Sequence, residues 1–142
     1  MRNHILFLLC FIIFSCEKDD IHCPPAECDQ ELIINGDLYD NAPNSSLTIE
    51  SVELKENCMT INFYSSGCSG STWEYKLIAE DYTIPGDIPQ RFIRLSLKNE
   101  ELCEAIIRKE VSFDISEALG QSHIIRLSLE NNGTHYIYQP GN

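Results

Sequence analysis

Cys58-Met59-Thr60-Ile61-Asn62-Phe63-Tyr64 is the stretch that decides the fold. Met59, Ile61 and Phe63 alternate with Cys58, Thr60, Asn62 and Tyr64, a period of two that puts one apolar set on one side of an extended chain. The same period runs outward in both directions. Upstream, Leu47 and Ile49 alternate with Thr48 and Glu50, then Val52 and Leu54 resume on the opposite parity, which predicts a bulge near Ser51. Downstream, the sets Trp73/Tyr75/Leu77, Ile93/Leu95/Leu97, Val111/Phe113/Ile115 and Ile125/Leu127/Leu129 follow, with Tyr136–Tyr138 last. Turn formers separate them: Glu56-Asn57, the small-residue loop Ser65–Ser71, the Pro85-Gly86 and Pro89 connection, and Asn131-Asn132-Gly133.

Seven to eight short strands without a long amphipathic helix predict an all-β, antiparallel sandwich, with a small β-barrel as the alternative. The strand and turn at Phe113-Asp114-Ile115-Ser116, followed by a returning strand, resemble immunoglobulin-like modules of bacterial surface lipoproteins. Glu100–Glu104 suits a helical turn, and Ser116–Gly120 a capped single turn closed by glycine. Ile93-Arg94-Leu95-Ser96-Leu97 recurs as Ile125-Arg126-Leu127-Ser128-Leu129. Two copies do not make a solenoid; they fit chance convergence of strands with the same exposure, or equivalent places in two sheets.

The first residues carry a different signal. Arg2 precedes ten uncharged residues, Ile5 to Phe14, and Ser15 sets a small side chain before Cys16. Ten residues make about 15 Å of helix, half a bilayer core, so a secretory signal fits better than a span. Ile13-Phe14-Ser15-Cys16 resembles the lipobox of bacterial lipoproteins, in a form familiar from the Bacteroidota, and Lys18-Asp19-Asp20 resembles their surface-export signal. That resemblance implies diacylglycerol on Cys16 and a lipid anchor in the outer membrane. The chain would then sit at the cell surface, or face the periplasm if the export signal goes unused. Two or three acyl chains hold firmly where one does not. The expected organisation is a signal peptide over 1–15, a lipidated acidic tether and lead-in over 16–46 with a first short strand at Leu32-Ile33-Ile34, and the β-sandwich domain over 47–142.

An exported chain can keep disulfides. Beyond Cys10 and Cys16, five cysteines remain, an odd number. Cys23 and Cys28 flank Pro24-Pro25 and are expected to close a local loop. Cys68 and Cys103, each in adjustable surroundings, are expected to pair, leaving Cys58 free; Cys58–Cys68 and Cys58–Cys103 are the competing pairings. A metal site at His22, Cys23 and Cys28 lacks a fourth ligand. The oxygen-rich Asn35-Gly36-Asp37 and Asp40-Asn41 do not match a calcium loop and are expected to be a solvated turn. No metal or cofactor is expected.

A formal charge of −12 argues against nucleic acid and anionic lipid surfaces as partners and favours basic proteins or cations. Gly-x-Ser-x-Gly, His-Glu-x-x-His and glycine-rich phosphate loops are not found. Gly67-Cys68-Ser69-Gly70 with Trp73 distantly resembles the nucleophile segment of papain-like proteases, with His123 or His135 as base, although the order of residues is not reproduced. The expectation is a non-catalytic surface module for a protein or glycan ligand. The first alternative is an acidic inhibitor of a basic host hydrolase such as lysozyme, and the second a cysteine enzyme.

Overall fold

A computed structural model describes residues 28–141 of the chain. Among these the alternating runs become strands. They are β1 (Gln30–Glu31), β2 (Ile33–Ile34), β3 (Thr48–Lys55), β4 (Cys58–Gly67), β5 (Glu74–Ala79), β6 (Gln90–Lys98), β7 (Ala105–Asp114), β8 (Ile125–Leu129) and β9 (Thr134–Tyr138). One helix, α1 (Gly36–Asn41), and a 3-10 turn, Ser116–Leu119, complete the set. The strands form two sheets, ordered β1-β7-β4-β3 and β2-β5-β6-β8-β9.

The period of two fills the space between the sheets. Met59, Ile61, Phe63 and Phe113 from one sheet meet Leu77, Leu95, Leu97 and Leu127 from the other, all fully buried. Each such side chain contributes about 1.5–3 kcal/mol of burial. Phe63 stacks on Trp73 at 6.3 Å between centroids and meets Tyr75 edge-on at 5.7 Å. The bulge falls between Ile49 and Ser51. Glu56 turns the β3–β4 hairpin with φ 53, and Gly133 turns β8 into β9 with φ 68.

Several expectations need correction. The lead-in over residues 28–46 is no tether. Leu32 enters the core, β1 and β2 add to opposite sheets, and Asn35 caps α1 by accepting a hydrogen bond from Leu38 N–H at 2.8 Å. The expected turn at Asn35-Gly36 is thus a helix start, because Asn is a good cap. The sheets are mixed rather than purely antiparallel: β1 with β7, β2 with β5 and β6 with β8 are parallel pairs. The repeated pentapeptides are neighbours in one sheet, Ile93 opposite Leu129, rather than equivalents in two. Glu100–Glu104 forms no helix; the Glu101 carboxylate is bound instead by the loop after β4.

Cys68 pairs with Cys103, as expected. Cys28, however, pairs with Cys58, so Cys58 is no free thiol and Cys28 does not close a loop with Cys23. The docked lead-in explains this. Asp29 accepts hydrogen bonds from Ser112 N and Oγ at 2.8 Å, and β1 pairs with the end of β7, where Asp114 faces Cys58. Cys16, Lys18, Asp19, Asp20 and Cys23 lie outside the described residues.

Candidate functional site

The outer face of the five-stranded sheet is where polar chemistry gathers. Ile78, whose neighbours Leu77 and Ala79 face the core, points the other way and packs on Tyr39 and Ala42 with Leu38 and Phe92 alongside. This small apolar cluster seats α1 and the segment after it across half the sheet. Beside it lie two clefts that share Glu130, one toward β8 and β9 and the other between Asn131 and residues 44–47.

The first cleft, about 380 Å³, lies between Tyr39, Glu80, Phe92, Ser128, Glu130 and His135. Tyr39 Oη donates to Glu130 Oε2 at 3.0 Å. Burial, then Asp40, Asp81 and Glu130, holds the Glu80 carboxyl above its ordinary pKa. Burial and the Glu130 carboxylate push the Tyr39 phenol well up. Glu80 and Glu130 beside two aromatic rings, with Asp40 and Asp81 acting on Glu80 from nearby, make a negative, half-apolar hollow suited to a cationic side chain. Ser128 Oγ and His135 Nδ1 are 2.8 Å apart and face each other across β8 and β9. Ser128 is largely buried, and the pair ties the two strands together.

The second cleft, about 300 Å³, opens where β6 and β8 part. Their pairing ends at Ile93–Leu129. Beyond it the Asn131 amide takes over, accepting from Leu95 N–H at 2.7 Å and donating to Leu95 O at 3.0 Å, and Ser45 N–H reaches Leu97 O at 2.8 Å. Arg94 lies in the wall with Asn44, Ser45, Ser46, Glu130 and Asn131. Its Nε donates to Tyr39 O at 2.5 Å and its Nη2 to Ala42 O at 3.0 Å, and its guanidinium stands 5.5 Å from the Tyr39 ring centroid.

The cysteine alternative loses its nucleophile: Cys68 is bonded to Cys103 and has no thiolate to offer. Its loop is a cradle for Glu101. Cys68, Ser69 and Gly70 N–H groups donate at 2.5, 2.9 and 3.0 Å, and Thr72 Oγ1 at 2.9 Å. The Gly70 and Ser69 N–H groups hold the Glu101 pKa down to about 2. Gly70 adopts φ +67, and a Cβ there would sit 2.8 Å from Lys109 Cε, so the cradle needs glycine. Among the described residues, no group of three or more His, Cys, Asp or Glu side chains is placed to hold a metal, and no helix is long and apolar enough to cross a membrane.

Tyr39, Glu80, Arg94 and Glu130 are the residues that sequence reading missed. Parity put Arg94 on the face away from the core, and the structure agrees. What parity lacks is the cover supplied by a segment fifty residues upstream.

Two sheets packed face to face define the class, an all-β sandwich-like fold. No protein-family model and no curated protein matches the chain. Solved structures with a similar fold include a protein of unknown function, DUF1344, from Bacteroides vulgatus, with a TM-score of 0.55, 13% identity and 80% of this chain aligned. A NigD-like immunity protein from Bacteroides caccae superposes with a TM-score of 0.50, 11% identity and 77% of this chain. The match takes in 56% and 57% of those two chains, so this chain spans a little over half their length.

Proposed function

We propose that this chain is a lipid-anchored envelope protein that acts without catalysis, by binding and neutralising a basic protein. The observation that carries the reading is the pair of carboxylates, Glu80 and Glu130, lining the Tyr39–Phe92 hollow, with Asp40 and Asp81 adding negative charge nearby. Burial, then the neighbouring acids, raise the Glu80 carboxyl, and a lysine or arginine from a partner offsets the repulsion. The formal charge of −12 steers such a partner from a distance. The likeness to a protein named as an immunity protein is in keeping with a neutralising role. Cys16 carries the lipid in this reading, and Lys18-Asp19-Asp20 directs the anchored protein to the surface.

Titration calorimetry with hen lysozyme as a cationic protein probe tests it. Binding is expected at about 0.02 M salt and its loss by about 0.3 M, because surface charges are screened beyond a few ångströms there. The double variant Glu80→Gln/Glu130→Gln should weaken it at least about tenfold. Unchanged affinity in that variant, or no binding at low salt, overturns the proposal. Anchoring is tested separately: Cys16→Ala should release the protein from the membrane fraction, and a variant that stays anchored removes the lipid from the reading.

A further inference from the structure

Leu102 is 95% exposed, the most open of the large apolar side chains among the described residues. It stands in the connection between β6, which ends at Lys98, and β7, which starts at Ala105. Single apolar residues are ordinary on a surface, and a loose loop tip would account for this one. The connection is fastened, however, on both sides of it. On one side the Glu101 carboxylate accepts from the Cys68, Ser69 and Gly70 N–H groups and from Thr72 Oγ1. Glu101 N–H donates to Asn99 Oδ1 at 2.9 Å, and Asn99 Nδ2 donates to Ser66 O at 2.7 Å. On the other side Cys103 is bonded to Cys68. From this we infer that residues 100–104 form a substrate-like loop that inhibits a serine endopeptidase, with the Leu102 side chain in the enzyme's apolar specificity pocket.

The way the loop is held selects the partner. One protruding side chain fits a pocket better than a groove or a flat face, and a backbone fixed beforehand loses little freedom on docking. What points to a peptidase is where the two fastenings end. Glu101 and Cys103 lie on either side of Leu102, and both are tied to the same few residues, Cys68 to Gly70. A peptidase serine that attacks the Leu102 carbonyl carbon breaks the bond to Cys103 N, and its proton passes to that nitrogen. The freed amine cannot diffuse away, because the cystine keeps it beside the Leu102 acyl group that Glu101 anchors. It attacks the acyl-enzyme in turn, the peptide bond re-forms, and the serine recovers its proton. A loop built in this way occupies the enzyme without being consumed. Glu100 and Glu104, both exposed, and the formal charge of −12 favour a cationic enzyme. The loop shares no residue with the Tyr39–Phe92 hollow, and the inference stands without the reading placed there.

The test uses bovine chymotrypsin, whose specificity pocket is an apolar slot, with a chromogenic peptide substrate and the oxidised full chain as inhibitor. Saturable inhibition is expected, and mass spectrometry should find the 102–103 bond largely intact. Leu102→Asp should raise the inhibition constant at least about tenfold. Because that side chain is exposed, the melting midpoint of the variant should stay where it is. Cys68→Ser/Cys103→Ser should turn the loop into a substrate, cut after Leu102. Glu80→Gln/Glu130→Gln should inhibit like wild type, so this loop and the hollow that lysozyme binding tests can each fail alone. No inhibition of chymotrypsin, or inhibition that Leu102→Asp leaves unchanged, overturns the inference. Rapid, complete cleavage of the wild-type chain after Leu102, or a cysteine double variant as resistant as wild type, also overturns it.

Discussion

Replacing Cys28 and Cys58 by serine removes the cross-link that ties the lead-in to the first residue of β4. The bond joins residues 30 apart, and the loop-entropy model assigns such a closure about 3.6 kcal/mol through restriction of the unfolded chain. For a domain of about 110 residues each kcal/mol moves the melting midpoint by about 4 °C, so the variant should melt about 15 °C lower. The second cystine, with a separation of 35, gives about 3.8 kcal/mol by the same argument. The two loops, 28–58 and 68–103, neither overlap nor nest, so their effects should add. Reduction of the wild-type protein therefore forfeits about 7 kcal/mol, comparable with the whole stability of an ordinary domain, about 5–15 kcal/mol. Thermal melts followed by circular dichroism, with and without dithiothreitol, measure both quantities. A midpoint drop under about 3 °C in the double variant, or a reduced wild type that melts no lower than that variant, refutes the reasoning.

Glu101 gives a pH signature. Its folded pKa, about 2, lies below the ordinary 4.5, so the cradle's contribution is present above 4.5 and fades as pH falls through 2. Glu101→Gln should melt lower than wild type at neutral pH, and the gap should close between pH 4.5 and 2; a gap that persists at pH 2 contradicts the assignment. Phe63→Ala leaves a hole between Trp73 and Tyr75 in the centre of the core and should cost about 3–5 kcal/mol in urea unfolding. A cost under about 1.5 kcal/mol would mean the sheets are less tightly packed than described.

Strand content and core were legible because both rest on a period of two that Met59, Ile61, Phe63, Ile93, Leu95 and Leu97 keep without interruption. The Ser51 bulge and the Cys68–Cys103 bond were legible for the same reason, each being a local consequence of parity or of loop freedom. The lead-in was legible only at the apolar run Leu32-Ile33-Ile34, which reads as a first short strand and holds β2. Gln30–Glu31 and Ile33–Ile34 are two-residue strands, too short to show any period, and their partners lie far along the chain. The true partner of Cys28 followed from that docking and was hidden with it. The candidate site was hidden more deeply. Arg94 and Ser96 alternate like solvent-facing residues, yet both are buried, because α1 and the residues after it fold back over them.

The docked lead-in also sets an order of events. Asp29 meets Ser112 across 83 residues of sequence, and β1 has nothing to pair with until β7 exists. Such distant parallel pairings close slowly, since the loop entropy falls due before any contact is made. β3 and β4 are joined by a two-residue turn and can assemble early, whereas the lead-in, synthesised before both, is seated last. Until it is, the end of β7 offers a bare strand edge to any neighbouring chain. Cys28 waits through the same interval for Cys58, with other thiols within reach. Crowding and oxidant supply during that interval, rather than the strength of the finished core, then decide how much of the chain reaches its native pairing.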